Sequence, residues 1–299
     1  MKHFIQANSN GRLHSADEPA VSPLNRGYLY GDAVYEVWRT HGGALFAFVE
    51  HWARLEQSAK AVHLALPLTP AQCREEITRT ATTFRAQTGE SGELYVRLQI
   101  TRGAGPIGLD PGLAERSDWT ILVQRTPPPI SRGLRLAIPL TLRRNPVDCL
   151  NPAWKTGNYL NNVLGLGEAR RRGADDALFL NQAGYFTEAS AASLLLVQGA
   201  RLVTPRLEDG LLAGITRALL LTRVAPAAGI AIEERSIRPA ELDRFSEAML
   251  LSTTKDVAPV AAIDGTEWPE APGPVTRRLM AAWQDYVSEY ARQNPGLRV

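Results

Sequence analysis

The chain has 299 residues, 44% hydrophobic and 21% charged, with a formal net charge of +2. That is enough chain for two cores or one large α/β unit, and the charge is too even to mark a nucleic-acid partner. Two cysteines argue against a disulfide scaffold, no His-x-x-x-His or Glu-x-x-His pair offers a metal site, and no apolar run reaches the ~20 residues that span a bilayer.

The N-terminal Met1-Lys2-His3-Phe4-Ile5-Gln6 lacks a leader-like apolar run, so a cytoplasmic location is expected. Phe4-Ile5-Gln6 and Arg12-Leu13 flank Ser9-Asn10-Gly11, whose Asn-Gly is a hairpin signal. Residues 33–39 read as a strand, Gly42-Gly43 as a turn and 44–48 as the return. A helix over 50–63 is predicted from the stripe Trp52, Leu55, Ala59 and Val62. Thr69-Pro70 begins the next helix, Thr as cap and Pro in the first turn. Residues 93–101 and 119–124 read as strands.

Pro127-Pro128-Pro129 can continue neither a helix nor a central strand. The expected organisation is therefore a small N-terminal α/β domain over 1–125, a linker over 126–133 and a larger mixed α/β domain over 134–299. In the second, strands are predicted at 134–140, 177–180, 185–187, 194–197, 230–234 and 248–251. Helices are predicted over 159–172, from Ile215 to near Gly229, and over 275–290. The short basic runs Arg143-Arg144 and Arg170-Arg171-Arg172 read as solvated surface or as support for an anion.

Five features carry chemistry. Trp154-Lys155-Thr156-Gly157-Asn158-Tyr159 puts a lysine just before a helix. A cation there opposes the helix dipole, although lysine is also an ordinary surface residue. Thr187-Glu188 precedes Ala189-Ser190-Ala191-Ala192-Ser193, small residues that let a flat ring approach; alone, Glu188 reads as an edge-strand glutamate. Gly214-Ile215-Thr216-Arg217 opens a helix, and unpaired N–H groups at a helix start bind phosphate; alone, it is a turn glycine followed by a first-turn threonine. Ser252-Thr253-Thr254 ends a strand with hydroxyls suited to phosphate or a substrate carboxylate; alone, it is a Ser/Thr turn. Arg54 lies on the inner helix stripe and would need an anion if buried; its plainer reading is an exposed helix arginine. Amine, carboxylate, helix start and hydroxyls, in that order, meet the needs of pyridoxal 5'-phosphate (PLP). They supply a lysine for the covalent link, an anion for the pyridinium nitrogen and donors for the phosphate.

From about Asn25 to about Gly265 the chain resembles the class IV, fold-type IV PLP aminotransferases. This group includes branched-chain aminotransferases, D-amino-acid aminotransferases and aminodeoxychorismate lyase. The segment from Arg26 to Glu36 resembles the family's early strand, Glu50-His51-Trp52-Ala53-Arg54-Leu55 its phosphate-arginine helix, and the remaining segments its cofactor motifs. The resemblance implies a two-domain, D-amino-acid-aminotransferase-like α/β fold and a homodimer. Lys155 would hold PLP covalently and shuttle a proton at the substrate Cα. Glu188 would pair with the pyridinium and Tyr159 with the ring hydroxyl. Arg54, the amides of Ile215 and Thr216, and Thr253 would hold the phosphate. Tyr30 and Leu109 would approach the neighbouring subunit's site.

Tyr95 and Arg97 alternate with apolar residues and so face one side. Resemblance to branched-chain enzymes puts them, with Tyr35 and Thr254, in the substrate pocket, where Arg97 would help accept the distal carboxylate of glutamate. Ile107 and Leu109 stand where D-amino-acid enzymes carry Arg and His. The implied reaction moves an amino group from an amino acid, favouring L-branched-chain donors, to a 2-oxoacid, favouring 2-oxoglutarate. The alternatives are a D-amino-acid aminotransferase, a 4-amino-4-deoxychorismate lyase, or a PLP-binding protein with little catalysis. Several positions depart from the family pattern. Ala189 and Ser193 replace a frequent Gly and Asn, Ser252-Thr253-Thr254 is closer to D-amino-acid enzymes, and Lys255 adds a cation at the substrate-carboxylate end. Arg144-Asn145-Pro146 resembles some lyase-like members.

Overall fold

The computed structural model describes residues 4–130 and 132–299; Met1-Lys2-His3 and the linker's Ser131 lie outside the described residues. The chain divides into two units. One comprises Met1–Pro127, Trp154–Asn158 and Val287–Val299; the other comprises Pro128–Ala153 and Tyr159–Tyr286. The residues around Lys155 thus belong with the first unit.

The first unit has strands β1 (Gln6–Ser9), β2 (Arg12–Ser15), β3 (Ala33–His41), β4 (Ala44–Leu45), β5 (Leu94–Thr101) and β6 (Asp118–Arg125), with helices α1 (Arg26–Tyr30), α2 (Phe48–Ala61) and α3 (Pro70–Thr88). Its six-stranded sheet runs β2-β1-β6-β5-β3-β4, with every neighbouring pair antiparallel. The β1–β2 turn is Asn10-Gly11, both left-handed at φ 51° and 90°, as a two-residue hairpin demands. Burial alternates along β5. Leu94, Val96, Leu98 and Ile100 join Trp38, Leu55 and Ile77 in the core, while Tyr95, Arg97 and Gln99 face the other way. Thr69 and Gln72 form a reciprocal capping box on α3.

The strand read over 33–39 stands within β3, but the segment resembling the family's early strand, Arg26 to Glu36, opens as a helix. Arg26–Tyr30 is a short helix, capped by the Asn25 side chain accepting from the Gly27 N–H and closed by Gly31 at φ 67°. Gly takes that conformation at no steric cost, and β3 then starts at Ala33.

The second unit has β7 (Leu134–Ala137), α4 (Leu160–Arg171), β8 (Asp176–Leu180), β9 (Phe186–Ala189), β10 (Ser193–Gln198) and β11 (Arg201–Thr204). After these come α5 (Ile215–Leu219), a π-helical turn over Leu220–Val224, α6 (Ala225–Ala227), β12 (Ala231–Glu234), β13 (Glu247–Ser252), β14 (Asp256–Ile263), β15 (Thr266–Glu267) and α7 (Pro274–Gln293), which continues into the first unit. The nine-stranded sheet runs β12-β11-β10-β13-β14-β7-β8-β9, and β9 also pairs with β10. That last pairing, Ser193 opposite Glu188, closes six strands into a ring. Glu188 is therefore on a strand paired on both sides, not on an edge. Strands β11 and β14 were not expected from the sequence. Among the described residues no helix is long and apolar enough to cross a membrane.

Candidate active site

In the first unit, Lys155 is set by strand pairing. Tyr35 N–H donates to the Lys155 carbonyl (3.1 Å) and Gly157 N–H to the Ala33 carbonyl (2.8 Å), so residues 155–157 lie antiparallel against β3. The Lys155 N–H donates to Ser58 Oγ on α2 (3.1 Å). The Lys155 ammonium sits 4.3 Å from the centre of the Tyr35 ring, and the Arg97 guanidinium carbon 3.9 Å from the same ring. One aromatic surface thus contacts both cations, a favourable electrostatic arrangement. Arg97 also donates to Gln99 Oε1 (2.7 Å). Tyr95 is half-buried on the same strand face.

Arg54 is buried, and its anion is Glu36. Nε donates to Oε1 (2.7 Å) and Nη2 to Oε2 (2.9 Å), while His51 Nδ1 is 2.7 Å from Oε2. Burial alone would raise the Glu36 carboxyl, but Arg54 and His51 hold it well below the usual carboxylate range. His51 is pushed below its ordinary value by burial; Glu36 pulls it up, while the charges of Arg54 and Lys155 depress it further. Glu36 and His51 were not singled out in the sequence. The available signal was a carboxylate inside the apolar run of β3.

Tyr30 and Leu109 belong to one loop cluster of the first unit. The Tyr30 hydroxyl accepts from Gly108 N–H (3.2 Å). Arg26, buried, donates to the carbonyls of Gly108 (2.7 Å) and Leu109 (3.0 Å). Arg26 and Arg102 both bond Asp32, and against the opposing effect of burial they hold its carboxyl below the usual range. No described contact within one chain joins Leu109 to Lys155.

In the second unit, the buried Glu188 carboxylate is gripped through one oxygen. Arg144 Nε and Nη2 donate to Oε1 at 3.1 and 2.8 Å. Arg144 Nη1 donates to Asn162 Oδ1 (3.1 Å), and Asn162 Nδ2 donates to the Ser190 carbonyl (2.8 Å). Arg144 and Asn162 thus supply support that Ala189 and Ser193 do not. Of the basic pair, Arg144 turns inward; Arg143 bonds the Pro139 and Leu142 carbonyls.

Ser193 packs instead against the start of α5. A Cβ on Gly214 would lie 2.8 Å from Ser193 Oγ, so glycine is needed for that approach. The first-turn amides of Ile215 and Thr216 have no acceptor within the helix. Arg217 is tied inward to Thr204 Oγ1 (3.3 Å) and the Pro205 carbonyl (2.9 Å). Tyr159 is the N-cap residue of α4 and half-buried.

The turn between β13 and β14 carries the hydroxyls. Ser252 Oγ and Thr254 Oγ1 are 3.5 Å apart, and Lys255 N–H donates to Ser252 Oγ (3.1 Å). Thr253 makes no side-chain hydrogen bond with the described residues. The Lys255 ammonium faces Asp176 Oδ2 at 3.7 Å, so the additional cation has a counter-charge.

The Amino-transferase class IV family profile matches residues 33–263. A Methanocaldococcus jannaschii protein provisionally named a branched-chain-amino-acid aminotransferase is 32% identical over 282 residues, 94% of this chain and 96% of its own. The D-alanine aminotransferase of Bacillus licheniformis is 31% identical over 291 residues, 95% of this chain and 98% of its own. Among solved structures, the branched-chain aminotransferase of Thermoproteus uzoniensis with norvaline superposes with a TM-score of 0.85. It is 29% identical and covers 98% of both chains.

Proposed function

The chain belongs to the class IV aminotransferases, PLP-dependent transaminases of fold-type IV, and from that footing we propose that it moves the amino group of L-leucine, L-isoleucine or L-valine to 2-oxoglutarate. The observation that carries the choice of substrate is the Tyr35 ring, in contact with both Lys155 and Arg97. An aliphatic side chain needs an apolar wall beside the reacting lysine. The glutamate side chain needs a cation there. A guanidinium stacked on an aromatic ring serves the second without removing the first.

The residues fit PLP. Glu188 Oε1 receives both Arg144 donors. Oε2 receives none from the described residues, which leaves an acceptor for a protonated ring nitrogen. Thr253 has an uncommitted hydroxyl, and the amides of Ile215 and Thr216 have no helical acceptor. When bound, PLP supplies the electron sink that lets the substrate Cα–H bond ionise.

The protein's own groups do the rest. Lys155 would hold the cofactor covalently until the substrate amine displaces it, and the freed lysine amine would then take and return the proton at the substrate Cα. Glu188, fixed by Arg144, would keep a bound ring nitrogen protonated. Tyr159 would bond the ring hydroxyl. Arg54, clamped by Glu36, would bring its positive charge to the phosphate, with the amides of Ile215 and Thr216 and with Thr253. Tyr35, Tyr95, Arg97 and Thr254 line the substrate side.

We further infer a cytoplasmic homodimer in which Tyr30 and Leu109 serve the neighbouring subunit. Tyr28, Ile107 and Leu109 are 77%, 75% and 79% exposed, large apolar side chains that a second copy would cover; sedimentation gives the state directly. The D-amino-acid reading is favoured by Ser252-Thr253-Thr254 and by the Bacillus relative. It is disfavoured by Ile107 and Leu109 in place of Arg and His. A panel of L- and D-amino acids against 2-oxoglutarate and pyruvate separates the readings. Turnover confined to D-alanine, or pyruvate release from aminodeoxychorismate, would overturn the branched-chain proposal.

A further inference from the structure

Nothing in the sequence marked Asp176, yet it stands where two parts of the second unit's site are held together. It opens β8 and is buried. Its Oδ1 accepts from Ser190 Oγ in a short contact, from Ser190 N–H (3.3 Å) and from Ala177 N–H (2.9 Å). Its Oδ2 faces the Lys255 ammonium at 3.7 Å, and the two side chains are only 7% and 19% exposed. A buried carboxylate requires such compensation.

Each partner leads to a different part of the site. Lys255 belongs to the turn that carries Thr253 and Thr254. Its N–H bonds the Ser252 carbonyl (3.2 Å) and hydroxyl (3.1 Å), so its backbone is tied within the turn and its side chain to β8. Ser190 leads the other way. Its carbonyl accepts from Asn162, whose amide oxygen accepts from Arg144, which grips Glu188. Buried polar chains of this kind fix geometry when every member is satisfied.

We propose that Asp176 is a positioning residue, holding the Thr253-Thr254 turn through Lys255 and the Arg144–Glu188 pair through Ser190 and Asn162. This rests on reading that turn and Glu188 as cofactor contacts. Lys255, the cation foreign to the family pattern, is then a strut for the turn.

Three variants test it. Asp176→Asn keeps the shape and can still accept from Ser190, but turns an amide toward the ammonium. Lys255→Met keeps the stem and removes the charge. Lys255→Arg keeps the charge. Hydrogen exchange of the apoprotein is followed in peptides covering 186–190 and 252–256. The PLP dissociation constant, the absorbance of bound PLP and separate half-reactions are then measured.

Asp176→Asn should speed exchange in both peptides and weaken PLP binding, each about tenfold, the size expected when a coupled buried contact is lost. The absorbance band should shift as Glu188 loosens. Lys255→Met should speed exchange in 252–256 alone and raise KM for the amino donor more than it lowers kcat, and Lys255→Arg should restore most of this. A pair that only stabilises the fold would lower the melting temperature and leave these readouts unmoved; that result overturns the proposal. If Asp176→Asn does not fold, wild-type exchange of 252–256 in Lys255→Met overturns it alone. Wild-type protein that takes up no PLP would instead overturn the functional reading, and with it any cofactor role for Asp176. Normal PLP uptake with unaltered turn exchange in the variants counts against Asp176 only.

Discussion

At the scale of single residues, the deciding feature is that each candidate charge has a partner. Glu36 binds Arg54 and His51, and the two shifts act on stability with one sign. Glu36 is held below its ordinary 4.5, so its contribution is complete above that value and is lost as pH falls through the folded-state value. His51 lies below its ordinary 6.5, so below that pH the unfolded chain takes up protons first and stability erodes. The melting temperature should therefore fall on acidification from near pH 6.5, and more steeply below 4.5. Glu36→Gln should remove the second, steeper phase and lower stability by about 3–5 kcal/mol, because a buried guanidinium loses its anion. PLP affinity should fall with it. Thermal melts across pH, with PLP titration, decide; wild-type stability and affinity in the variant would place the Arg54 clamp elsewhere. Arg97→Leu tests the substrate pocket. It should cost the glutamate half-reaction about 1.5–3 kcal/mol of charged hydrogen bonding and change the leucine half-reaction far less. Equal losses in stopped flow would refute the shared pocket. Lys155, Glu188 and Thr253 stood out in the sequence because their neighbours form local motifs. Glu36 and Asp176 did not, and Arg144 drew notice only within a short basic run and not as the partner of Glu188, because the partners of these three lie 18, 44 and 14 residues away. Only the fold brings them together.

At the scale of elements, local signals read best. The Asn10-Gly11 turn and the Thr69 cap needed nothing beyond adjacent residues, and both stand as expected. Strand β14 escaped notice because Pro259 argues against a central strand. In the structure Pro259 pairs with Met249 on one side, and the pairing with β7 begins only at Val260, so the missing N–H falls before that ladder starts. The segment from Arg26 to Glu36 resembles the family's early strand, yet its first five residues form helix α1, set by the Asn25 cap and by Gly31. The start of α5 makes a prediction at this scale. Gly214→Ala would push a methyl group to 2.8 Å from Ser193 Oγ, and overpacking of this kind costs about 1–3 kcal/mol. The Ile215 and Thr216 amides should shift and PLP affinity should drop about tenfold for each ~1.4 kcal/mol. Adding Ser193→Ala should recover most of the loss by opening space. No loss in the single variant, or no recovery in the double, would mean that these amides do not hold the phosphate.

At the scale of the whole molecule, the family, the PLP chemistry and the fold class were legible in the sequence as a resemblance, and the comparisons agree. What spacing alone did not reveal is that Trp154–Asn158 is assigned with the first unit while Tyr159 is assigned with the second. Lys155 is thereby set against β3 beside Tyr35, and Glu188 belongs to the closed ring of the second unit. The central claim is that Lys155 drives transamination of an L-branched-chain donor at a PLP whose nitrogen Glu188 serves. The most direct measurement is the single-turnover absorbance change of PLP-loaded protein on mixing with L-leucine or D-alanine, in wild type, Lys155→Ala and Glu188→Gln. L-leucine should convert the wild-type cofactor completely to its amine form. Lys155→Ala should abolish that conversion, Glu188→Gln should slow it more than it reduces PLP occupancy, and D-alanine should produce little change. Rapid conversion by D-alanine with none by L-leucine, or full conversion in Lys155→Ala, would contradict the account.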